Sequence, residues 1–302
     1  MKDLRAADVA TVSLPAPGRG TVADFVGLTK PRLNLLVVAT SAAGYYLGAP
    51  GVPEPGPMLQ AVAGTAFVAA GAAVLNQVVE RDTDALMRRT RSRALPDGRV
   101  LPGDARLFGI VISVAGLALL AAQPHRMAAG LALASLIIYL AIYTPLKRRT
   151  SLATLVGAVP GALPPLIGWT ASHGRITFGG AALFAIVFLW QIPHFMAIAW
   201  MYRDDYAKAG FPMLPVIDPG GRRAARQAVV YAAALIPVSA VPAFAGISGD
   251  VYLIVAMALG IGLLGLAVRF AVWRTDRSAR WLFFGSITYL PILWIAMIAD
   301  RL

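Results

Sequence analysis

Nine stretches of membrane-spanning length contain no Asp, Glu, Lys or Arg: approximately residues 33–49, 57–79, 107–124, 127–146, 150–172, 176–202, 227–249, 251–268 and 281–299. About 20 apolar residues of helix cross the hydrocarbon core of a bilayer, and a helix satisfies its own backbone hydrogen bonds while doing so. The expected fold class is therefore an all-α polytopic membrane protein with nine transmembrane helices. Composition agrees: 58% of the 302 residues are hydrophobic and only 14% charged, with mean hydropathy +0.68, which is too apolar for a single soluble core.

The charges between these stretches are one-sided. Of the 27 Lys and Arg residues, 24 fall in the N-terminal segment or in the loops after the second, fourth, sixth and eighth stretches. The remaining three, Arg126, Arg175 and Arg301, lie on the opposite side. Cytoplasmic loops carry the excess of basic residues, so the N-terminus is expected in the cytoplasm. A net charge of +12 then suits an anionic inner leaflet, and no nucleic acid partner is needed to account for it. Cysteine is absent, which excludes disulfides, thiolate metal sites and a cysteine nucleophile. Residues 1–27 have no apolar signal core, and Asp3, Asp8 and Asp24 break a mitochondrial presequence pattern. They read as a cytoplasmic N-terminal tail on a membrane domain spanning 28–302, in the inner membrane of a bacterial cell.

Polar residues inside spans are costly and usually functional. Here they gather at two helix ends. Asn76, Glu80 and Asp84 follow one another at four-residue spacing, so they share one face over roughly 12 Å of helix. Arg88, Arg89, Arg91 and Arg93 come next. Mg²⁺ is commonly held by one or two carboxylates plus substrate phosphate oxygens, and guanidinium forks take up remaining phosphate charge. The register thus points to a metal-bound diphosphate. A solvated topology-setting loop would explain the arginines without needing that spacing. The sixth stretch ends similarly, with Gln191 and His194 and then Arg203, Asp204, Asp205 and Lys208. The likeness of the two ends hints at an internal repeat facing a shared pocket.

The loops after the second and sixth stretches are long and rich in Pro and Gly, as lids often are. Lys30, Arg32, Lys147, Arg148 and Arg149 add basic charge on the same side, where ordinary positive-inside anchoring is the competing explanation. Gly157–Trp169 holds three prolines, Pro160, Pro164 and Pro165, so its helix should be kinked or closely packed. Gly44, Gly64, Ala70 and Gly71 read as close-packing positions between helices.

Together with LTKPRL, YTPLKRRT, PGALPPLIGW, PHF and DDYAKAGFPMLPV, the NxxxExxxD motif and the following MRRTRSRAL resemble the UbiA-type membrane prenyltransferases, specifically their protoheme IX farnesyltransferase branch, over about Leu28–Val216. The resemblance implies a UbiA-like nine-helix bundle around a membrane-open cavity. It also implies transfer of the farnesyl group of farnesyl diphosphate to a vinyl group of haem B, giving haem O and diphosphate. It assigns Asn76, Glu80 and Asp84 to the first Mg²⁺-diphosphate motif, and Asp204 and Asp205 to a second, with Asp205 as a further metal ligand. Lys30, Arg32, Arg88, Arg93, Lys147, Arg148, Arg203 and Lys208 would bind diphosphate. A haem A synthase is implied as a partner that takes up the product. The chain departs from the family pattern at Glu80, where most of the wider family has Asp, although Glu is usual in this branch. Tyr202 and Tyr206 replace frequent carboxylates, and Ala94 stands where Pro is usual.

In the implied reaction metal and basic side chains stabilise the departing diphosphate, while Tyr139, Tyr143, Trp190 and Tyr202 are candidates to steady an allylic cation. Haem would be held through its propionates or through iron by His194, the one histidine within a span; a hydrogen-bonded core histidine is the plainer reading. Three other functions stay open at this point: a prenyltransferase for a hydroxybenzoate or quinone precursor, a secondary transporter, and a non-enzymatic haem-binding membrane protein.

Overall fold

The computed structural model describes residues 20–302, so most of the expected N-terminal tail lies outside the described residues. Its last part forms helix α1 (Val22–Leu28), whose capping box is built from Thr21 and Asp24. Lys30 then takes a left-handed backbone conformation, φ 51°, and Pro31 opens α2 (Pro31–Gly48). The chain continues through α3 (Pro55–Asp84), α4 (Pro102–Ala121) and α5 (Met127–Ile137). A six-residue π-helical segment, Ile138–Tyr143, joins α5 to the short α6 (Thr144–Leu146). There follow α7 (Ala153–His173), α8 (Phe178–Met201), α9 (Arg203–Lys208) and α10 (Leu214–Ile217). Three long helices end the chain: α11 (Arg222–Phe244), α12 (Asp250–Trp273) and α13 (Asp276–Ala299). Proline at the first turn of α2, α3 and α4 sharpens those starts, because its fixed φ suits the helix and its missing N–H would have had no partner there.

Seven of these rods are long and apolar enough to cross a membrane: α3, α4, the continuous Met127–Leu146 rod, α8, α11, α12 and α13. Nine were expected from the charge-free stretches. The two that fall short, α2 and α7, are long helices whose sequences carry more glycine, proline and hydroxyl residues, and they pack chiefly on one another. Helix α7 is mostly buried among its neighbours, while α2 is buried only in its second half and carries Arg32 and Asn34 in its first turns. A Cβ on Gly44 would collide with the Pro165 carbonyl, and one on Gly168 with the Ser41 carbonyl. The backbones approach this closely only because both positions are glycine, a small-residue contact of the kind that drives helix association in lipid. Gly64 and Gly71 of α3 meet α4 at Gly116, Gly109 and Ser113 in the same way.

Around this centre α3 carries α4, α7 carries α5 and α8, α8 carries α11 and α13, and α12 bridges α11 to α13. Contact between α13 and α2 is sparse. Large apolar side chains point outward, among them Leu33, Phe67, Val111, Ile254, Ile261 and Ile295, as a lipid-facing surface requires. Buried hydroxyls pair across helices, whereas Gln123 Oε1 and the Nε1 atoms of Trp169, Trp200 and Trp294 have no partner among the described residues. The hydroxyl of Tyr252 donates to the Ser239 carbonyl at 2.6 Å, and Ser239 Oγ meets the Tyr289 hydroxyl at 2.7 Å, tying α11, α12 and α13 together.

The three prolines of α7 do not end its helix. Pro164 has no N–H to offer the Pro160 carbonyl, and Ser135 Oγ of α5 supplies a longer hydrogen bond at 3.4 Å. Close packing, one of the outcomes expected for this segment, is found at Gly168.

Candidate active site

The site is organised by the last three turns of α3. The four-residue register buries Asn76, Glu80 and Asp84, which are 2%, 7% and 2% exposed. Burial of two carboxylates requires compensation, and each has its own cation. Lys147 Nζ donates to both oxygens of Glu80 at 2.8 and 3.1 Å. Arg93 donates to Asp84 Oδ2 at 2.8 Å. One cation comes from the turn after α6 and the other from the loop after α3, so two basic segments converge on one helix face.

Asn76 is fixed by the π-helical segment. Its amide donates to Thr144 Oγ1 at 3.1 Å, and its carbonyl oxygen faces the Tyr139 hydroxyl at 3.4 Å. Thr144 in turn donates to the Tyr139 carbonyl at 2.8 Å, five residues back, which is the spacing of the wide turn. The widened turn lets Tyr139 and Tyr143 stack at 5.4 Å and brings Lys147 over the Tyr143 ring at 5.4 Å. Gly157 of α7 leaves the space that the Tyr143 ring fills. A cleft of ≈ 380 Å³, lined by Val79, Glu80, Leu140, Thr144, Pro145, Arg148 and Arg149, reaches Glu80 from the outer side of this junction. Arg148 also approaches Thr83 Oγ1 at 3.4 Å.

Lys30 belongs to the same electrostatic group. Burial, followed by the nearby Arg93 and Lys147 cations, lowers its ammonium pKa to about 8 against the pull of Glu80 and Asp84. A lysine in left-handed backbone is strained, and such strain concentrates at functional sites. For Lys147 burial acts downward too, but the Tyr143 oxygen and the Glu80 carboxylate outweigh it and raise its pKa, so it remains an ammonium.

The loops after α3 and α8 clasp each other. Met87 packs with Tyr206, Ala209, Phe211 and Met213. Arg89 donates to the Tyr206 hydroxyl at 3.1 Å and lies over the Tyr202 and Tyr206 rings at 5.4 and 5.1 Å. Phe211 covers Lys147 at 5.2 Å. Tyr202 and Tyr206 thus grip Arg89, and the two long loops pack against each other.

Other expected residues are placed differently. Asp205 is buried, whereas Asp204 and Lys208 are exposed on the outer side of α9. Arg32 and Arg88 are exposed as well. Arg203, expected at diphosphate, instead pairs with Asp276 at 2.8 Å and donates to the Trp200 carbonyl, tying α9 to the start of α13. His194 lies on α8 against α13, with its ring between Trp190 and Phe283. Sequence reasoning missed Thr144 and Phe211 altogether. Thr144 acquires its role only through the π-helical turn, and nothing in the spacing around Phe211 announces a contact with Lys147.

The oxygen donors suit a hard cation such as Mg²⁺, with one qualification. Among the described residues, no three His, Asp or Glu side chains lie close enough to hold an ion. An ion here needs oxygen ligands brought by the substrate, which is the usual habit of Mg²⁺ at phosphate sites.

Residues 37–290, most of the chain, match the UbiA prenyltransferase family. The chain belongs to the UbiA prenyltransferase family. Among curated relatives it is 45% identical to the protoheme IX farnesyltransferase of Solibacter usitatus (strain Ellin6076) over 287 residues, covering 92% of this chain and 98% of the relative. Among solved structures, one of digeranylgeranylglyceryl phosphate synthase in membranes aligns with TM-score 0.78 at 17% identity, covering 92% of this chain and 98% of the other. A UbiA homologue from Archaeoglobus fulgidus, bound to DMAPP and Mg²⁺, aligns with TM-score 0.66 at 18% identity, covering 91% and 99%. These likenesses give the fold: an all-helical UbiA-like membrane bundle, and a multi-pass membrane protein. Within this family, the transporter and non-enzymatic alternatives fall away.

Proposed function

We propose that the protein is a Mg²⁺-dependent farnesyltransferase that joins the farnesyl group of farnesyl diphosphate to a vinyl group of haem B, giving haem O and diphosphate. The observation that carries the reading is the pair of buried carboxylates, Glu80 and Asp84, each matched by a cation and surrounded by further basic groups. Their setting agrees with the farnesyltransferase named at 45% identity across nearly the whole chain.

With a Mg²⁺-diphosphate bound, Asn76, Glu80, Asp84 and Asp205 would hold the ion, which supplies Lewis-acid stabilisation of the departing diphosphate. Lys147 and Arg93, now paired with the carboxylates, would turn to the phosphate oxygens, and Lys30 would add a third cation. The loop clasp of Met87, Arg89, Tyr206 and Phe211 would keep water from the allylic carbon. As the allylic C–O bond breaks, its electron pair leaves with diphosphate, and the vinyl π pair forms the new C–C bond. The cation left on the other vinyl carbon, beside the porphyrin, takes a water oxygen and loses a proton. The product gains a farnesyl group and a hydroxyl. Tyr139 and Tyr143 present π faces beside Lys147 and are placed to steady the cationic stage.

All nine long helices, α2 and α7 included, would cross the inner membrane of a bacterial cell, with the arginine-rich end and the active site facing the cytoplasm. The sparse α2–α13 seam would admit the prenyl chain from the bilayer. Haem O would pass to a haem A synthase or a haem-copper oxidase. Expression in a bacterial host with limiting haem O should raise the haem O share of extracted haem. Unchanged haem O, together with a new prenylated quinone precursor, would transfer the reading to an aromatic acceptor.

A further inference from the structure

His194 has one nitrogen committed and one free. Ser286 Oγ spends its hydrogen on the Phe283 carbonyl at 2.7 Å, so at 2.8 Å from His194 Nδ1 it accepts rather than donates. Nδ1 therefore carries the proton, and Nε2 carries a lone pair. Nε2 has no hydrogen-bond partner among the described residues and is not among the sealed, unpartnered polar atoms of the interior. The ring is stacked on both faces, by Trp190 at 5.1 Å and 18° and by Phe283 at 5.1 Å and 23°. Trp190 is itself anchored, its Nε1 donating to the Ser286 carbonyl at 2.7 Å. Two helices thus hold the imidazole in one orientation, with Nδ1 turned to Ser286.

Helix adhesion needs only the Nδ1 bond and the stacking, and leaves Nε2, which is not sealed in the interior, open to a ligand. A metal-ligating histidine has this arrangement: the far nitrogen donates to a fixed acceptor and the near one binds the metal. We propose that His194 Nε2 is an axial ligand to the iron of the bound haem, with Ser286 as its positioning residue. The proposal rests on haem being the prenyl acceptor. It places the porphyrin beside the α8–α13 contact, where Trp190 and Phe283 flank the imidazole.

The test is equilibrium binding of ferric haem and of iron-free protoporphyrin IX to the purified protein in detergent, read by absorption. Wild type should show the spectrum of histidine-ligated haem. His194→Ala should lose that spectrum and bind haem at least about tenfold more weakly, with added imidazole restoring the bands, while protoporphyrin IX affinity stays within about twofold. Ser286→Ala should weaken haem binding roughly tenfold and spare protoporphyrin IX. An unaltered haem spectrum in His194→Ala overturns the ligation, as does a parallel loss of haem and protoporphyrin IX, which would mark a packing role. If His194→Ala still farnesylates haem with that unaltered spectrum, the acceptor reading survives and the ligation alone fails. Wild type that binds neither ring and modifies no haem would remove both.

Discussion

At the scale of single residues, Glu80 and Asp84 carry two duties, charge balance with a fixed cation and reception of the metal-bound substrate. Glu80→Gln or Asp84→Asn should lower kcat by roughly 10²- to 10³-fold, the scale of losing one group that stabilises developing charge. Glu80→Gln also strands Lys147, and breaking a buried pair from one side costs about 3–5 kcal/mol. The combination with Lys147→Met should therefore recover thermal stability without recovering turnover; recovery of turnover would show that the loss was one of folding. Lys30 adds a pH dependence whose sign is fixed by its pKa of about 8. Diphosphate favours the ammonium, so binding takes up a proton above that pH. Affinity for Mg²⁺-diphosphate should fall by up to about tenfold per unit as pH rises past 8, and Lys30→Met should bind more weakly with that limb gone. In folding the same group acts in reverse: its penalty is present below pH 8 and is relieved as pH rises toward its ordinary 10.5. The register of Asn76, Glu80 and Asp84 was legible because helical period alone puts them on one face. Their cations were not assignable as partners, since Lys147 lies 67 residues from Glu80 and only tertiary packing joins them.

At the scale of elements, the glycine contacts between α2 and α7 and the π-helical turn between α5 and α6 set the position of the site. Gly168→Ala would place a methyl group in the Ser41 carbonyl, and overpacking of this kind costs about 1–3 kcal/mol. A lower melting temperature in detergent is expected, together with weaker substrate binding, because α7 also shapes the pocket of Tyr143. Gly130→Ala, where a Cβ meets nothing within 4 Å, should leave the melting temperature unchanged. Close packing at Gly44, Gly64 and Gly71 could be read from small residues recurring within spans. The π-helical turn could not, because a six-residue widening leaves the apolar pattern of 127–146 intact and changes only which side chains share a face. Arg203 likewise has a partner that spacing could not assign: Asp276, 73 residues on, holds its guanidinium.

For the whole molecule, absence of charge over nine stretches anticipated the long helices, and apolarity alone distinguishes seven of them as spans. The discrepancy at α7 arises because a helix largely enclosed by other helices has no need of a lipid-soluble surface, whereas the apolarity of α2 is lowered by Arg32 and Asn34 in its first turns. Since the chain has no cysteine, single-cysteine labelling can decide the topology without background. Cysteines at Asp97 and at Gly51 should react with a membrane-impermeant reagent from opposite sides, Asp97 from the cytoplasm; reaction from one side only would reduce the number of crossings. The central claim concerns chemistry at the carboxylate face, and the mass of haem extracted after incubating purified protein with farnesyl diphosphate and haem B tests it most directly. The account predicts a farnesyl-plus-water increment that needs Mg²⁺ and is lost in Glu80→Gln. An unmodified haem in the presence of Mg²⁺, from protein that prenylates a quinone precursor under the same conditions, would contradict it.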